Sequence, residues 1–340
     1  MKKTSINDIA QQLGVSKTLV SLVLNGKARE HRISDEVCKK VVELAKELNY
    51  QPNQIAKGLR TGKTNTIGLI IADIANPFFG KLGREIEKQA ALNNYRVIFC
   101  SSDENPANSK KQIEMLQQGQ VDGFIIAPPA GSENQILALK KSKIPFVLID
   151  RHFPDIETNY IGIDNIQASY EAISYLIKKG YRKIACITLN VHLNNMNQRV
   201  LGYKQALIDH NINVDENLIK MMPFTHEKDD LIEVVKELEP GNKSKVEAVF
   251  FTTSKLGIMG IETLHSMGLN IPNDIAVVSF DDPDAYKISQ PPVSAIAQPL
   301  KELGVESVKL LVEQMTGKKA VHDTKKVILN AIFVSRKSSG

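Results

Sequence analysis

From Thr66 onward the chain is written in one repeating signal. TIGLIIAD is a continuous apolar run of strand length, and RVIFCSS, VDGFIIAP, PFVLID, KIACIT, AVFFTT and IAVVSF follow it at intervals. Runs without alternation suit parallel strands buried on both faces. Helix-like segments separate them, at 77–93, 109–118, 134–141, 167–178, 198–209, 254–267 and 300–315. Strands alternating with helices build doubly wound parallel sheets. Two such series predict two similar α/β subdomains, with any ligand held beyond the carboxyl ends of the strands. The core is expected to span residues 66–340. Its first lobe would take 66–163 with 294–318, and its second 164–293 with 319–340.

The preceding segment has another period. In INDIAQQLGVSKTLVSLVLNG, Ile6, Ile9, Ala10 and Leu13 recur at helical spacing, and Gly14 lets the chain turn sharply. Ser16 stands where an N-cap belongs, and Val20, Val23 and Leu24 carry the next apolar face until Asn25-Gly26 ends it. Two short helices joined by such a turn make a helix-turn-helix. Lys17, Thr18, Ser21 and Leu22 then lie on the outer face of the second helix, where base edges are read. Ser34, with Asp35 and Glu36 behind it, opens a third helix carrying Val37, Val41, Leu44, Ala45 and Leu48. The expectation is an all-α headpiece over residues 1–50; an ordinary helical hairpin that binds nothing is the plain alternative.

Charge separates these readings. Residues 1–63 carry 12 Lys/Arg against 6 Asp/Glu, whereas the remainder carries 31 against 32. The entire positive excess sits in the headpiece, as expected for a module that meets a polyanion with one end. Cys38, Cys100 and Cys186 are far apart and without metal-ligand spacing, so no disulfide framework, zinc site or other cofactor is expected. Lys2-Lys3 is not followed by an apolar run, and no window reaches membrane-spanning length. A soluble cytoplasmic protein is expected. Residues 51–65 read as a joint: a two-turn amphipathic piece from Asn53 to Arg60, too short to hold as an isolated helix, then a polar linker.

With these motifs in order, the sequence resembles the lactose-repressor/galactose-repressor family of bacterial transcription regulators. The likeness covers essentially the whole chain and is densest in DIAQQLGVSKTLVSLVLNG, LNYQPNQIAKGLRTGKTNTIGLIIADIANPFF, RVLGYKQAL and VVSFDD. It implies two periplasmic-binding-protein-like lobes of type I, a homodimer, a small-molecule effector between the lobes and an inverted-repeat operator in double-stranded DNA. Repression is the implied outcome more than activation. The resemblance places Lys17, Thr18, Ser21 and Leu22 in the major groove. Most relatives have an arginine where this chain has Leu22; leucine offers only an apolar contact, such as to a thymine methyl, so the operator half-site does not carry over. Asn25, Lys27, Arg29, His31 and Arg32 become phosphate contacts. Asn53, Ala56 and Leu59 fall in the family's hinge helix, Leu59 as the wedge that kinks the duplex from the minor groove.

For the effector the resemblance points to Asp73, Phe78, Phe79, Asp150, Arg151, Asn190, Arg199 and Asp281. Arg199 (in R-x-x-G-aromatic) and Asp281 (after VVSF) match the family's ligand-gripping pair. Phe78 and Phe79 could supply an aromatic platform. Carboxylates beside such a face suit a sugar, and two arginines leave room for an acidic sugar. Plain alternatives stand beside these: Phe79 as core, Arg151 as an interlobe salt bridge, Asp282 as a turn residue. Sugar-binding relatives often carry Asn-Asp where this chain has Thr253-Ser254, so one grip is missing.

Two other classes remain as rivals. A solute-binding protein for sugar uptake would need a leader and no headpiece. A DNA-bound α/β enzyme would need a catalytic constellation, and the chain has no G-x-G-x-x-G, G-x-S-x-G or H-E-x-x-H. Gly62-Lys63-Thr64 hints at a phosphate-binding loop, but Gly58 is one residue too close and no strand precedes it. No enzyme activity and no metal site are expected.

Overall fold

The computed structural model describes residues 4–50, 63–190, 192–225, 228–239, 246–317 and 324–340. The chain divides into two compact units, Met1–Thr64 and Asn65–Gly340. In the first, α1 (Ile6–Leu13), α2 (Lys17–Leu24) and α3 (Asp35–Glu47) each begin on a serine. Ser5 and Asp8 form a reciprocal capping box, Ser16 accepts the Leu19 N–H at 3.1 Å, and Ser34 accepts that of Val37 at 3.4 Å. These caps satisfy backbone donors that helix starts leave open. Gly14 closes α1 with φ 64°, the left-handed turn foreseen for it. Ile9, Ala10, Val20, Val23, Val41 and Ala45 then close a small core among the three helices.

The second unit alternates as its pattern requires. Its first half runs β1 (Thr66–Ile71), α4 (Pro77–Leu92), β2 (Arg96–Ser101), α5 (Pro106–Gln118), β3 (Gly123–Ile126), α6 (Glu133–Lys141), β4 (Phe146–Ile149) and β5 (Tyr160–Ile163). The second half runs α7 (Asn165–Lys178), β6 (Ile184–Leu189), α8 (Asn194–Asp209), β7 (Ile219–Met222), α9 (Lys228–Glu237), β8 (Ala248–Phe251), α10 (Ser254–Ser266), β9 (Ala276–Phe280), α11 (Asp284–Ile288) and β10 (Ser294–Ala297). The chain ends with α12 (Leu300–Met315), β11 (Lys326–Leu329) and β12 (Ile332–Val334).

Each half winds the same sheet. The strand order is β11-β5-β4-β3-β1-β2 in one lobe and β12-β10-β9-β8-β6-β7 in the other. All neighbours run parallel except β12, which pairs antiparallel with β10. In both sheets the second strand of the series lies outside the first and the third inside it. The order therefore reverses between β1 and β3 and again between β6 and β8, and ligands collect beyond the carboxyl ends of strands at such switch points. Every residue of β1, β3, β4, β8 and β9 is buried, which explains their unbroken apolar runs. One core is continuous through both lobes, from Ile67, Leu82 and Leu311 to Ala172, Tyr203 and Phe280.

The lobe boundaries differ from the expectation at two places. The sequence pattern puts residues 294–297 in the first lobe, yet β10 pairs with β9 in the second. It puts residues 326–329 in the second, yet β11 pairs with β5 in the first. Four-residue strands carry no local mark of their sheet; the partner's register decides it. α12 does pack on α4, β3 and β4, as expected for the first lobe. The chain thus crosses between lobes after β5, after β10 and after β11. Among the described residues no helix is long and apolar enough to cross a membrane.

Candidate functional site

The headpiece presents one face of α2. Lys17 and Thr18 in its first turn are exposed and Ser21 and Leu22 half-exposed, while Val20 and Val23 are buried against α1 and α3. Asn25 folds its amide back onto the Ser21 carbonyl at 2.7 Å, so the amide is committed to the helix end. Lys27, Arg29, His31 and Arg32 are all exposed in the connection to α3, with Arg32 held at φ 53°. Glu30 is the one acidic residue between them. Asn53, Ala56 and Leu59 lie outside the described residues.

The second site lies where the carboxyl ends of both sheets face each other. Arg199 of α8 is its centre and is 3% exposed. Its Nε donates to Asn165 Oδ1 at 2.9 Å and its Nη1 to the Thr252 carbonyl at 2.7 Å. The guanidinium carbon stands 3.5 Å from the ring centroid of Phe280, a close cation–π contact. Asp281, just beyond β9 at φ 63°, accepts from Gln298 Nε2 at 2.7 Å and from Ser254 Oγ at 3.4 Å. Asp150, just beyond β4 at φ 66°, accepts across the lobes from Asn195 Nδ2 at 3.3 Å. Burial pushes both carboxyls above their ordinary range, with Arg199 working against the rise in each case. Burial also pulls Arg199 down, opposed by Asp281 and Asp150.

Arg151 is engaged elsewhere. Its Nη1 donates to Glu104 Oε2 at 2.6 Å, its Nη2 faces the other carboxylate oxygen, and its Nε is 3.4 Å from Asp150. Both partners of this fork are under a tenth exposed, and both belong to the first lobe. The salt bridge is therefore within a lobe rather than between lobes. Burial alone would lower Arg151; Glu104 holds it above its ordinary value.

Beside this cluster is a cavity of about 250 Å³. Pro77, Phe78 and Lys81 of α4 line it from one lobe, Ser254, Asp281, Pro283 and Lys287 from the other, and Gln298 and Leu300 at the crossover. Lys81 also reaches Asp284 of the second lobe at 2.9 Å. Phe78 and Phe79 meet edge to face at 4.9 Å, but only Phe78 lines the cavity. Successive residues on a helix point about 100° apart, so Phe79 turns into the core, with Arg151 5.7 Å from its ring.

Of the expected effector residues, the structure thus gathers Phe78, Asp150, Arg151, Arg199 and Asp281. Asp73 is half-buried, and its carboxylate accepts the N–H of Ala75 in its own loop. Asn190 is exposed at the end of β6. Neither lines the cavity. Glu104, Asn165, Asn195 and Gln298 escaped sequence reasoning. Glu104 had a usable signal, because a buried arginine requires a carboxylate partner. Asp282 proves more than a turn residue: Arg336 grips it with two nitrogens, at 2.8 and 2.7 Å. Among the described residues no group of three or more His, Cys, Asp or Glu could hold a metal ion.

Known proteins fit this arrangement. Residues 5–53 match the family described as bacterial regulatory proteins, lacI family, and residues 173–339 the periplasmic binding protein-like domain. The chain is 32% identical over 343 residues to HTH-type transcriptional regulator DegA of Bacillus subtilis (strain 168), covering 99% of this chain and 98% of that one. Among solved structures it is similar to a transcriptional regulator CelR–cellobiose complex, with TM-score 0.72, 25% identity and 99% and 100% of the two chains covered. The lac repressor dimer bound to operator and the anti-inducer ONPF shares the fold, with TM-score 0.86 at 20% identity over 99% of each chain. The headpiece, the paired doubly wound lobes and this likeness along its full length lead to one conclusion: the chain belongs to the lacI family of bacterial regulatory proteins, whose members are DNA-binding transcriptional regulators and not enzymes.

Proposed function

We propose that this regulator is a cytoplasmic repressor that binds an inverted-repeat operator as a homodimer and is controlled by a sugar held between its lobes. The cavity between the lobes carries this reading. Its volume of about 250 Å³ is near the lower end of ligand pockets, roughly 300–1,000 Å³. Phe78 offers it an aromatic face, Asp281 an acceptor and Gln298, Ser254 and Lys81 further polar groups. An apolar face flanked by a few directional polar groups is what a small polyhydroxyl molecule requires. The CelR complex with cellobiose supports the class of ligand without fixing its identity.

Coupling follows from differential binding. A ligand that touches both lobes favours the arrangement in which both walls reach it, and so biases whatever part of the chain connects to the headpiece. A thermal-shift screen of neutral sugars, acidic sugars and purines tests the first step, because a ligand that binds only the folded protein raises its apparent melting temperature. A hit must also change operator affinity in a gel shift. Hits confined to purines, or a sugar that stabilises the protein but leaves DNA affinity unmoved, refute the proposal.

On the DNA side, Lys17, Thr18, Ser21 and Leu22 are proposed to meet base edges, and Lys27, Arg29 and Arg32 to meet phosphates. Replacing Lys17 and Thr18 with alanine is expected to weaken operator binding about tenfold or more, while non-specific binding changes far less. Lys27→Ala and Arg29→Ala should instead weaken both kinds and reduce the salt dependence, by roughly one unit of log–log slope for each lost phosphate contact. Fluorescence anisotropy on operator and scrambled duplexes over a range of salt distinguishes the groups. If the α2 variants lose both kinds of binding equally, α2 is not the reading helix.

A further inference from the structure

We propose that Arg336 is a positioning residue for the interlobe cavity: it clamps Asp282 and so holds the neighbouring Asp281 carboxylate where a sugar hydroxyl meets it. This rests on the reading of the cavity as a sugar site and adds a residue that is not part of its lining. Asp281, Asp282 and Pro283 line the cavity as one short loop between β9 and α11. Asp281 stands there at φ 63°, a left-handed conformation that a residue with a Cβ keeps only where its surroundings impose it. Its own carboxylate supplies part of the restraint, through Gln298 at 2.7 Å and Ser254 at 3.4 Å. Arg336 supplies the rest from the next residue along the chain. Its Nη1 and Nη2 donate to the two oxygens of Asp282 at 2.8 and 2.7 Å, with the two side chains 16% and 14% exposed. A bidentate fork of this kind fixes orientation as well as distance.

Arg336 is itself anchored on several sides. Its Nη1 also donates to the Val293 carbonyl at 2.6 Å. Its backbone N–H donates to Ser294 Oγ at 2.7 Å, and its carbonyl accepts from the same hydroxyl at 2.9 Å. Two residues on, Ser338 is fully buried; it donates to the Val277 carbonyl of β9 at 2.6 Å and accepts the Ser294 N–H at 2.8 Å. The segment after β12 is thus tied to β9 and β10, the strands that precede and follow the ligand loop. A binding group serves best when a rigid neighbour locks its geometry, and the clamp on Asp282 does this for Asp281. Lysine would keep the charge at this position but not the planar fork.

The test combines calorimetric titration with D-glucose, D-ribose and cellobiose and hydrogen exchange of the amides in residues 281–287. The proteins are wild type, Arg336→Lys, Arg336→Gln, Asp281→Asn and each Arg336 variant combined with Asp281→Asn. Arg336→Gln should bind sugar about tenfold or more weaker, because the acceptor is no longer held in place. Arg336→Lys should lose about threefold or more although the charge is kept. In both variants exchange at 281–287 should quicken while that of β8 stays as in wild type. Asp281→Asn weakens binding by itself, and adding Arg336→Gln to it should cost less than about threefold, since the carboxylate being positioned is already gone. A merely structural Arg336 costs the same factor with and without Asp281, which overturns the proposal. Unchanged loop exchange in the Arg336 variants, or unchanged sugar affinity, overturns it too. If Arg336→Gln does not fold, Arg336→Lys and its combination with Asp281→Asn decide by the same criteria. If wild type binds none of the three sugars, the sugar-site reading falls and this inference falls with it.

Discussion

Arg199→Met is expected to lower the stability of the two-lobed core by about 3–5 kcal/mol at neutral pH, because it strands buried carboxylates. The substitution keeps much of the volume and the contact with Phe280, and removes the charge. Asp281 and Asp150 lose a cation that offsets their burial. Asn165 Oδ1 and the Thr252 carbonyl each lose a donor. The loss should appear as a melting temperature lower by on the order of 10 °C. Its pH dependence has a definite sign. Burial already raises both carboxyls above their unfolded values, and losing the guanidinium raises them further. A carboxyl raised in the folded state contributes stability that is present at acid pH and lost as pH rises through its folded value. The deficit of the variant should therefore be largest near neutrality and shrink as pH falls toward the ordinary carboxylate range. Thermal melts across that range check it; a deficit that grows on acidification would mean that Arg199 is not the countercharge of these groups.

The same residue shows what a sequence can carry. Arg199 and Asp281 stood out because each sits in a motif that the resemblance supplies: one on a helix three residues before a glycine, the other directly after a buried strand. The serine-capped headpiece and the central strands were legible because capping and continuous burial are local properties. Edge strands were not. β11 alternates exposed and half-buried residues over only four positions, and β7 is half-exposed, so neither gives an apolar run. The sheet to which β10 and β11 belong depends on partners far away in sequence. Asn165 and Asn195 were invisible for a third reason: in isolation they are ordinary polar residues near helix starts, and only the fold buries them against Arg199 and Asp150.

These differences have a common physical root. What the sequence hid in this site are the groups that neutralise or orient others, and those groups decide which charges remain available to a ligand. A list of ligand-gripping residues carried over from relatives counts Arg151 as a free cation; the structure pairs it with Glu104.

Gly202 is where packing, rather than charge, has the largest expected effect. It lies on α8 in the R-x-x-G-aromatic motif, and a Cβ placed there would stand 2.2 Å from the carbonyl oxygen of Ile166 and 3.0 Å from Ser169 Cβ. Both belong to α7, and the obstructing oxygen is backbone, which no side-chain rotation can move aside. The helices meet along small residues, Ala168, Ser169 and Ala172 against Gly202 and Ala206, all buried. Gly202→Ala must push α7 and α8 apart, and overpacking of this kind costs about 1–3 kcal/mol, more where backbone has to move. Gly202→Val should exceed that and leave little folded protein. The displacement would also reach the ligand site. Arg199 is one turn away on the same helix, and its bonds to Asn165 on α7 and to Thr252 are set by that helix spacing. Gly80 of α4 supplies the opposite case, because its added Cβ would meet only the Ile74 carbonyl oxygen at an ordinary 3.6 Å. Gly80→Ala should therefore stabilise the protein by about 0.5–1 kcal/mol through helix propensity alone. Chemical denaturation of the two alanine variants side by side should give shifts of opposite sign. A Gly202→Ala protein as stable as wild type would mean that α7 and α8 are not in the close contact described.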